Sequence, residues 1–484
     1  MNISSRHPRR APGRRPSRGA ALGTLAAVTV TACLAALAAP AAARTQVRAG
    51  QSVPERTAVI VVPGAGRGAA VTTPASLGVN GASWDGHYLD SAIPGLLSAA
   101  HLGMVRYPGG SWGDEYDWQT NTAQGQVNPV GFGQFSTVTR QAHAGSFITA
   151  NYGSGTPAEA AAWVKDARSQ PGHQVALWEV GNENYGPWET DNHADPHTPG
   201  SYARNAESYF QAMHRADPAA KLGFPFALTA QQAAGTGTGV PDPAQWNATI
   251  LGQDGSLIDF ADTHWYPFYG TPSLTPEQIM ATVHTIPPVM DSIRSTLSRY
   301  DPRAAVVIGE TNISNAEISY NVQPVAALFA AGTALEWLSQ GARSVDWWDI
   351  HNFGTPQGDF GMLSSGTSGE PAADTPFPAY YGCMLASLLT APGARLSALP
   401  SPSPTVMAFA SRSGETGSAM LINSSATKPV SVPVRGLGGA GGGQALRSYA
   451  YSAASPRITA GNTTVAAARN GVTLPPQSIV VLTG

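Results

Sequence analysis

Val175-Ala176-Leu177-Trp178-Glu179-Val180 runs into Gly181-Asn182-Glu183-Asn184-Tyr185-Gly186-Pro187-Trp188. The apolar run stops at an Asn-Glu pair and gives way to aromatics and turn formers. That pattern suits a buried strand delivering one carboxyl to the rim of a pocket. A second strand of the same kind, Ala304-Ala305-Val306-Val307-Ile308-Gly309-Glu310, ends in a glutamate 127 residues after Glu183.

Working outward from these two, strand-like and helix-like patterns alternate from Leu77 to about Leu389, as a parallel α/β fold requires. The predicted strands are Leu77–Trp84, Met104–Pro108, Ser146–Asn151, Val175–Val180, Lys221–Phe226, Ile258–His264, Ala304–Glu310 and Ser344–Ile350. Helices are predicted between several of them, at Pro157–Arg168, Tyr202–Arg215 and Val322–Gln340. The first has Thr156 as its N-cap and Pro157 at its first position. Eight strands with crossover helices predict a (β/α)8 barrel over residues 77–390, with its site at the carboxyl ends of the strands.

Beyond about residue 392 the pattern changes to short alternating runs split by Gly, Pro, Ser and Asn. These are Val406–Ala410, Ser418–Ile422, Val430–Val434, Leu446–Tyr451, Thr463–Ala466 and Ser478–Leu482. They predict a C-terminal antiparallel β-sandwich over 392–484, with a flexible loop at Gly436–Gly443. Thr57–Val62, within 55–65, reads as an edge strand that joins the same sandwich from ahead of the barrel.

Residues 1–43 stand apart. Six arginines and no acid precede an Ala-rich apolar run that ends at Ala41-Ala42-Ala43. This reads as a signal peptide and a secreted protein. Two alternatives stay open: a retained membrane anchor, or lipidation at Cys33 within Val30-Thr31-Ala32-Cys33. Removing the segment takes the formal charge from −3 to −9. An acidic mature chain argues against nucleic acid or an anionic membrane as partner and is compatible with neutral polysaccharide. Cys383 is then the one remaining cysteine, which excludes an internal disulfide and a multi-cysteine metal site. It reads as a core residue.

Two carboxyls on the ends of two buried strands are what retaining glycoside hydrolysis needs. Glu183 is the candidate acid/base, whose pKa the flanking aromatics would raise by desolvation. Glu310 is the candidate nucleophile, which must stay ionised. For each glutamate alone, a strand-end ion pair is the plain structural reading. Arg106, in Arg106-Tyr107-Pro108-Gly109-Gly110-Ser111-Trp112, could keep a carboxylate ionised. In His264-Trp265-Tyr266, Tyr266 could orient the nucleophile and His264 could bind a sugar hydroxyl or serve as a core histidine. Of the adjacent Trp347 and Trp348, which point opposite ways on a strand, one belongs to the core and the other offers a stacking platform. Trp348 is the candidate platform. Asn182 could bond a sugar 2-hydroxyl, and Trp112, Asn151 and Trp188 complete the candidate rim.

Gly109-Gly110-Ser111-Trp112-Gly113 matches Gly-x-Ser-x-Gly, but the following Asp114-Glu115-Tyr116-Asp117-Trp118 lacks the helical apolar face that a nucleophile elbow requires. There is no convincing phosphate loop, no HExxH and no CxxC.

Residues 77–390 resemble the clan A glycoside hydrolases, and most of all the family 51 type of α-L-arabinofuranosidase. Arg106-Tyr107-Pro108-Gly109-Gly110, Gly181-Asn182-Glu183 with Gly186-Pro187-Trp188, and His264-Trp265-Tyr266 carry the resemblance. It implies a retaining mechanism with Glu183 as acid/base and Glu310 as nucleophile. It also implies a β-sandwich packed on the barrel, no metal or organic cofactor, and arabinofuranosyl groups of plant-type polysaccharide as substrate. Ile308-Gly309-Glu310-Thr311-Asn312 departs from that family's usual Glu-Trp context. A β-glycosidase or endoglucanase of the same clan, and a non-catalytic carbohydrate-binding barrel, remain alternatives.

Overall fold

The computed structural model describes residues 55–56, 58–64, 70–355, 358–438 and 443–484. The expected leader 1–43 with Cys33, Thr57, and part of the 436–443 loop lie outside the described residues.

Eight parallel strands close into a barrel in sequence order. They are β1 (Leu77–Asn80), β2 (Met104–Tyr107), β3 (Gly145–Ala150), β4 (Val175–Val180), β5 (Leu222–Pro225), β6 (Phe260–Trp265), β7 (Ala305–Thr311) and β8 (Val345–Trp347). Each expected strand is present, with β1 and β8 each four residues shorter than expected. Four crossover helices start at a Thr-Pro or Asp-Pro step. Thr156, Thr198, Asp242 and Thr275 each accept a backbone N–H of the first turn, and a proline follows at once. The cap satisfies an orphan donor, and the proline occupies a position that needs none.

Helix Pro324–Ser339 is buried on nearly every face. Such a helix needs apolar neighbours all round. The barrel covers one side and the C-terminal domain the other, where Met407 Sδ and Ile422 Cδ1 come close to Gly332.

The C-terminal part is an antiparallel sandwich. Its larger sheet has seven strands, in the order Ser455–Thr464, Ala445–Ser452, Ser478–Thr483, Thr416–Asn423, Val406–Ser413, Arg395–Ser403, Ala70–Val71. Facing it, Val430–Val432 pairs with Glu55–Arg56 and Val472–Leu474, and Val434–Arg435 pairs in parallel with Ile60–Val61. Strand alternation divides the large sheet between two cores. Met407, Phe409, Met420 and Ile422 join the barrel's core, while Val406, Ala408, Ala419 and Leu421 fill the sandwich.

One sandwich expectation is corrected. Thr463–Ala466 is not a strand of its own. The chain extends as strand to Thr464, whose hydroxyl then caps helix Val465–Asn470. Val465 and Ala468 bury at helical spacing, which a four-residue window hides. Cys383 is buried and unpaired.

Phe409 sits between barrel and sandwich at 1% exposure. Phe409→Ala is expected to cost about 3–5 kcal/mol, read from urea unfolding followed by circular dichroism and tryptophan fluorescence. A loss below about 1 kcal/mol would contradict the packing described.

Candidate active site

The barrel floor is apolar: Met104, Phe147, Leu177, Phe260 and Val307 pack together inside it. Two residues further along the same strands, alternation returns inward Arg106, Thr149, Glu179, Asp262 and Gly309. Strict alternation from Val307 would send Glu310 outward. Instead the register slips by one residue: Asp262 pairs with Val307, but His264 pairs with Glu310. This bulge turns the Glu310 carboxyl into the barrel mouth. It depends on Gly309, whose N–H donates to Asp262 Oδ1 at 2.7 Å and whose missing Cβ would lie 2.2 Å from Asp262 Oδ2.

Arg106 organises the carboxyls. Nη1 donates to Glu310 Oε1 at 2.7 Å and to Asn80 Oδ1 at 3.1 Å. Nη2 donates to Glu179 Oε2 at 2.9 Å and to Asn182 Oδ1 at 2.8 Å. Nε lies 3.6 Å from Asp262 Oδ2. The side chain is fully buried, so this set of acceptors, with the Phe147 ring 5.4 Å from Cζ, supports its charge in place of water. Tyr266 donates its hydroxyl to the other Glu310 oxygen at 2.7 Å.

Glu183 projects from a turn in which its own φ is 44°, in the left-handed region. Buried Asp114 braces that turn, accepting from Asn182 N at 3.1 Å, Asn184 Nδ2 at 2.9 Å and Gly153 N at 3.2 Å. Glu189 accepts from Asn182 Nδ2 at 3.0 Å and Ser111 Oγ at 2.9 Å, which fixes which way the Asn182 amide points. Glu183 itself bonds His264 Nδ1 through Oε1 at 2.8 Å and accepts from Trp188 Nε1 through Oε2 at 2.8 Å. An oxygen of Glu183 and an oxygen of Glu310 lie within 4.8 Å of each other.

The structure therefore brings Arg106, Asn182, Glu183, Trp188, His264, Tyr266 and Glu310 into one cluster of hydrogen bonds and ion pairs. Trp348 is half-buried, and its ring lies against Gly110, where a Cβ would meet it at 2.7 Å. Trp347 is in the core, with Nε1 on Phe360 O. Trp112 and Asn151 are engaged elsewhere: Trp112 Nε1 donates to Asn128, and the Asn151 amide caps the turn at Ser154 and Gly155. Ser111 donates to a carboxylate, which leaves nothing of the hydrolase elbow.

The protonation pattern corrects the sequence expectation. Burial pushes the Glu183 carboxyl up, but His264, Trp188 and Tyr185 outweigh it and hold it below its ordinary value. Burial raises Glu310, with His264 and Arg106 pulling against the rise. Neighbouring aromatics were expected to dominate at Glu183, whereas the charge and hydrogen bond of His264 do. Burial and Asp262 push Glu179 up to about 8 against the pull of Arg106, because one guanidinium is shared among several acids.

Asn80, Asp114, Glu179, Glu189 and Asp262 escaped the sequence reading. A period-two signal existed for Glu179 and Asp262, each two residues beyond an inward apolar residue. Glu179, Asp262 and His264, and likewise Glu183, His264 and Glu310, bring donor atoms within 4.8 Å of one another. His264 is common to both sets, and the Arg106 cation already lies against Glu179, Asp262 and Glu310. Among the described residues no helix is long and apolar enough to cross a membrane.

No protein-family profile matches the chain. Over 236 residues it is 24% identical to an intracellular exo-α-(1→5)-L-arabinofuranosidase of Acetivibrio thermocellus, covering 43% of each chain. Over 152 residues it is 27% identical to a probable α-L-arabinofuranosidase C of Aspergillus niger, covering 25% of this chain and 29% of that one. The chain thus matches less than half the length of these curated relatives. In fold it is similar to a thermostable family 51 α-L-arabinofuranosidase of Thermotoga petrophila, with TM-score 0.68 and 18% identity, covering 88% of this chain and 99% of that one. The resemblance carried by the short motifs thus extends to sequence relatives and to architecture.

Burial also pushes Asp114 up to about 7. Asp114 and Glu179 (about 8) keep their protons in the folded chain over a range where unfolded carboxyls have lost them. Their contribution to stability is full below about pH 4 and is lost as pH rises through those values. The thermal midpoint is expected to fall from pH 5 to pH 8.5, and Asp114→Asn to flatten the fall. A midpoint that rises over this range would contradict the assignment.

Proposed function

We propose that the chain is a secreted retaining glycoside hydrolase that removes α-L-arabinofuranosyl groups from plant-type polysaccharide. The observation that carries the hydrolase reading is the pair of carboxyls at the ends of β4 and β7, with oxygens within 4.8 Å. Retaining pairs stand about 5–5.5 Å apart, whereas inverting pairs need about 6.5–9.5 Å to admit a water. Attack on the anomeric carbon falls to Glu310, which Arg106 and Tyr266 hold in one orientation. Protonation of the leaving oxygen falls to Glu183, which afterwards takes a proton from the attacking water. The half-buried Trp348 and the exposed Trp188 offer ring faces for sugar C–H groups. The arabinofuranosyl specificity is supported by the names of the curated relatives and the solved neighbour. Secretion is supported by the basic, then apolar, leader.

Hydrolysis of a panel of aryl glycosides tests the reading: α-L-arabinofuranoside, β-xyloside, β-glucoside and β-glucuronide. The α-L-arabinofuranoside is expected to be cleaved. Glu310→Ala should abolish turnover, and Glu183→Ala should slow it about 10²–10⁴-fold. Turnover of another sugar in its place would correct the specificity. No turnover with retained polysaccharide binding would replace the enzyme with a binding protein.

A further inference from the structure

His264 is 2% exposed and has carboxylate oxygens on both sides of its ring. Nδ1 faces Glu183 Oε1 at 2.8 Å and Glu310 Oε2 at 3.6 Å, and Nε2 faces Asp262 Oδ2 at 3.4 Å. The last is an ion-pair contact rather than an aligned hydrogen bond. A neutral imidazole carries one N–H and would turn a lone pair towards a carboxylate on its other side. The surroundings therefore call for a doubly protonated ring. The other charged or titratable groups that act on this cluster include Arg106, Glu179, Tyr185, Tyr266 and Asp346. Burial opposes the charge on the imidazole, and Glu310, Asp262 and Glu183 outweigh it, so its pKa stands well above the ordinary value.

Glu183 is in the complementary condition. Both its oxygens face donors, His264 and Trp188, and its carboxyl is held down. Held below its ordinary value, the carboxyl is ionised at neutral pH and lacks the proton that an acid catalyst must give. With Trp188 on Oε2, Oε1 is the oxygen left to receive one.

We infer that the proton Glu183 delivers to the leaving group is stored on His264 and reaches Glu183 along the Nδ1···Oε1 hydrogen bond. The inference rests on the reading of Glu183 as acid/base and Glu310 as nucleophile. In the first step the His264 proton passes to Glu183 and on to the glycosidic oxygen. The glycosidic C–O bond breaks with its electron pair on that oxygen, while a Glu310 oxygen bonds the anomeric carbon. Glu183 is then an anion and His264 is neutral. The same transfer removes a positive neighbour from Glu310 and makes it a better nucleophile. In the second step Glu183 takes a proton from water, whose oxygen bonds the anomeric carbon as the ester bond to Glu310 breaks. That proton returns to His264, and the resting site is restored. His264 is thus a positioning and proton-holding residue that acts through Glu183.

The test is the pH dependence of kcat/KM, which reports the free enzyme, for wild type and His264→Gln on two α-L-arabinofuranosides. One carries an alkyl leaving group, which needs a proton. The other carries a strongly acidic phenol, which does not. In the variant Glu183 holds a proton only up to its own unaided value. The alkaline limb for the alkyl glycoside is expected to fall by about one pH unit or more, while the limb for the phenol stays in place. An unmoved limb for the alkyl glycoside, or a uniform loss at every pH with both leaving groups, would overturn the inference. Wild type inactive on both substrates would remove the hydrolase reading beneath it. If the variant does not fold, the ¹⁵N resonances of His264 in wild type at pH 7 decide. A charged ring is expected, and a neutral ring would overturn the storage role.

Discussion

A guanidinium with no access to solvent is costly unless nearly every N–H finds an acceptor. Arg106 meets that demand by drawing groups from four other barrel strands or the turns that follow them: Asn80 at the end of β1, Glu179 and Asn182 around β4, Asp262 on β6 and Glu310 on β7. The interaction works in both directions. The acids keep the arginine charged, and the arginine fixes where the acids point. Removing one partner from such a buried set typically costs about 3–5 kcal/mol, so the cluster is both a structural constraint on the barrel mouth and the frame of its chemistry.

Around that frame, local backbone irregularities set the two outer carboxyls. The bulge at Gly309 turns Glu310 inward, and the left-handed turn at Glu183, braced by Asp114, brings the second carboxyl to meet it. Strain and irregularity of this kind persist where the surroundings over-determine them, and they often mark functional sites. His264 joins the two carboxyls from near the end of β6, with Nδ1 facing both.

Much of the fold was legible. Apolar runs bounded by turn formers gave eight strands, and Thr-Pro or Asp-Pro steps mark four helix starts. The site was legible where polar residues end an apolar run, as at Glu183, His264 and Glu310. It was not legible where the partner is set by three-dimensional closure. Glu189 and Asp114 lie in loops, and their bonds to Asn182 depend on two separate turns meeting. Glu179 and Asp262 lie inside strands that read simply as core. The protonation pattern escaped for the same reason: His264, which holds Glu183 down, is 81 residues away in the chain. In the sandwich, Arg395–Ser403 went unnoticed because Pro400, Pro402 and its serines give it the composition of a loop and only Leu396 is buried.

The proposed chemistry requires that Arg106 and Tyr266 hold Glu310 as a nucleophile facing Glu183. Its most direct measurement is mass spectrometry of peptides from protein inactivated with a 2-fluoro arabinofuranosyl donor, which accumulates a glycosyl-enzyme. A single adduct on the Glu310 carboxyl is the expected result. An adduct on another residue, or turnover of the parent substrate with inverted anomeric configuration, would contradict it.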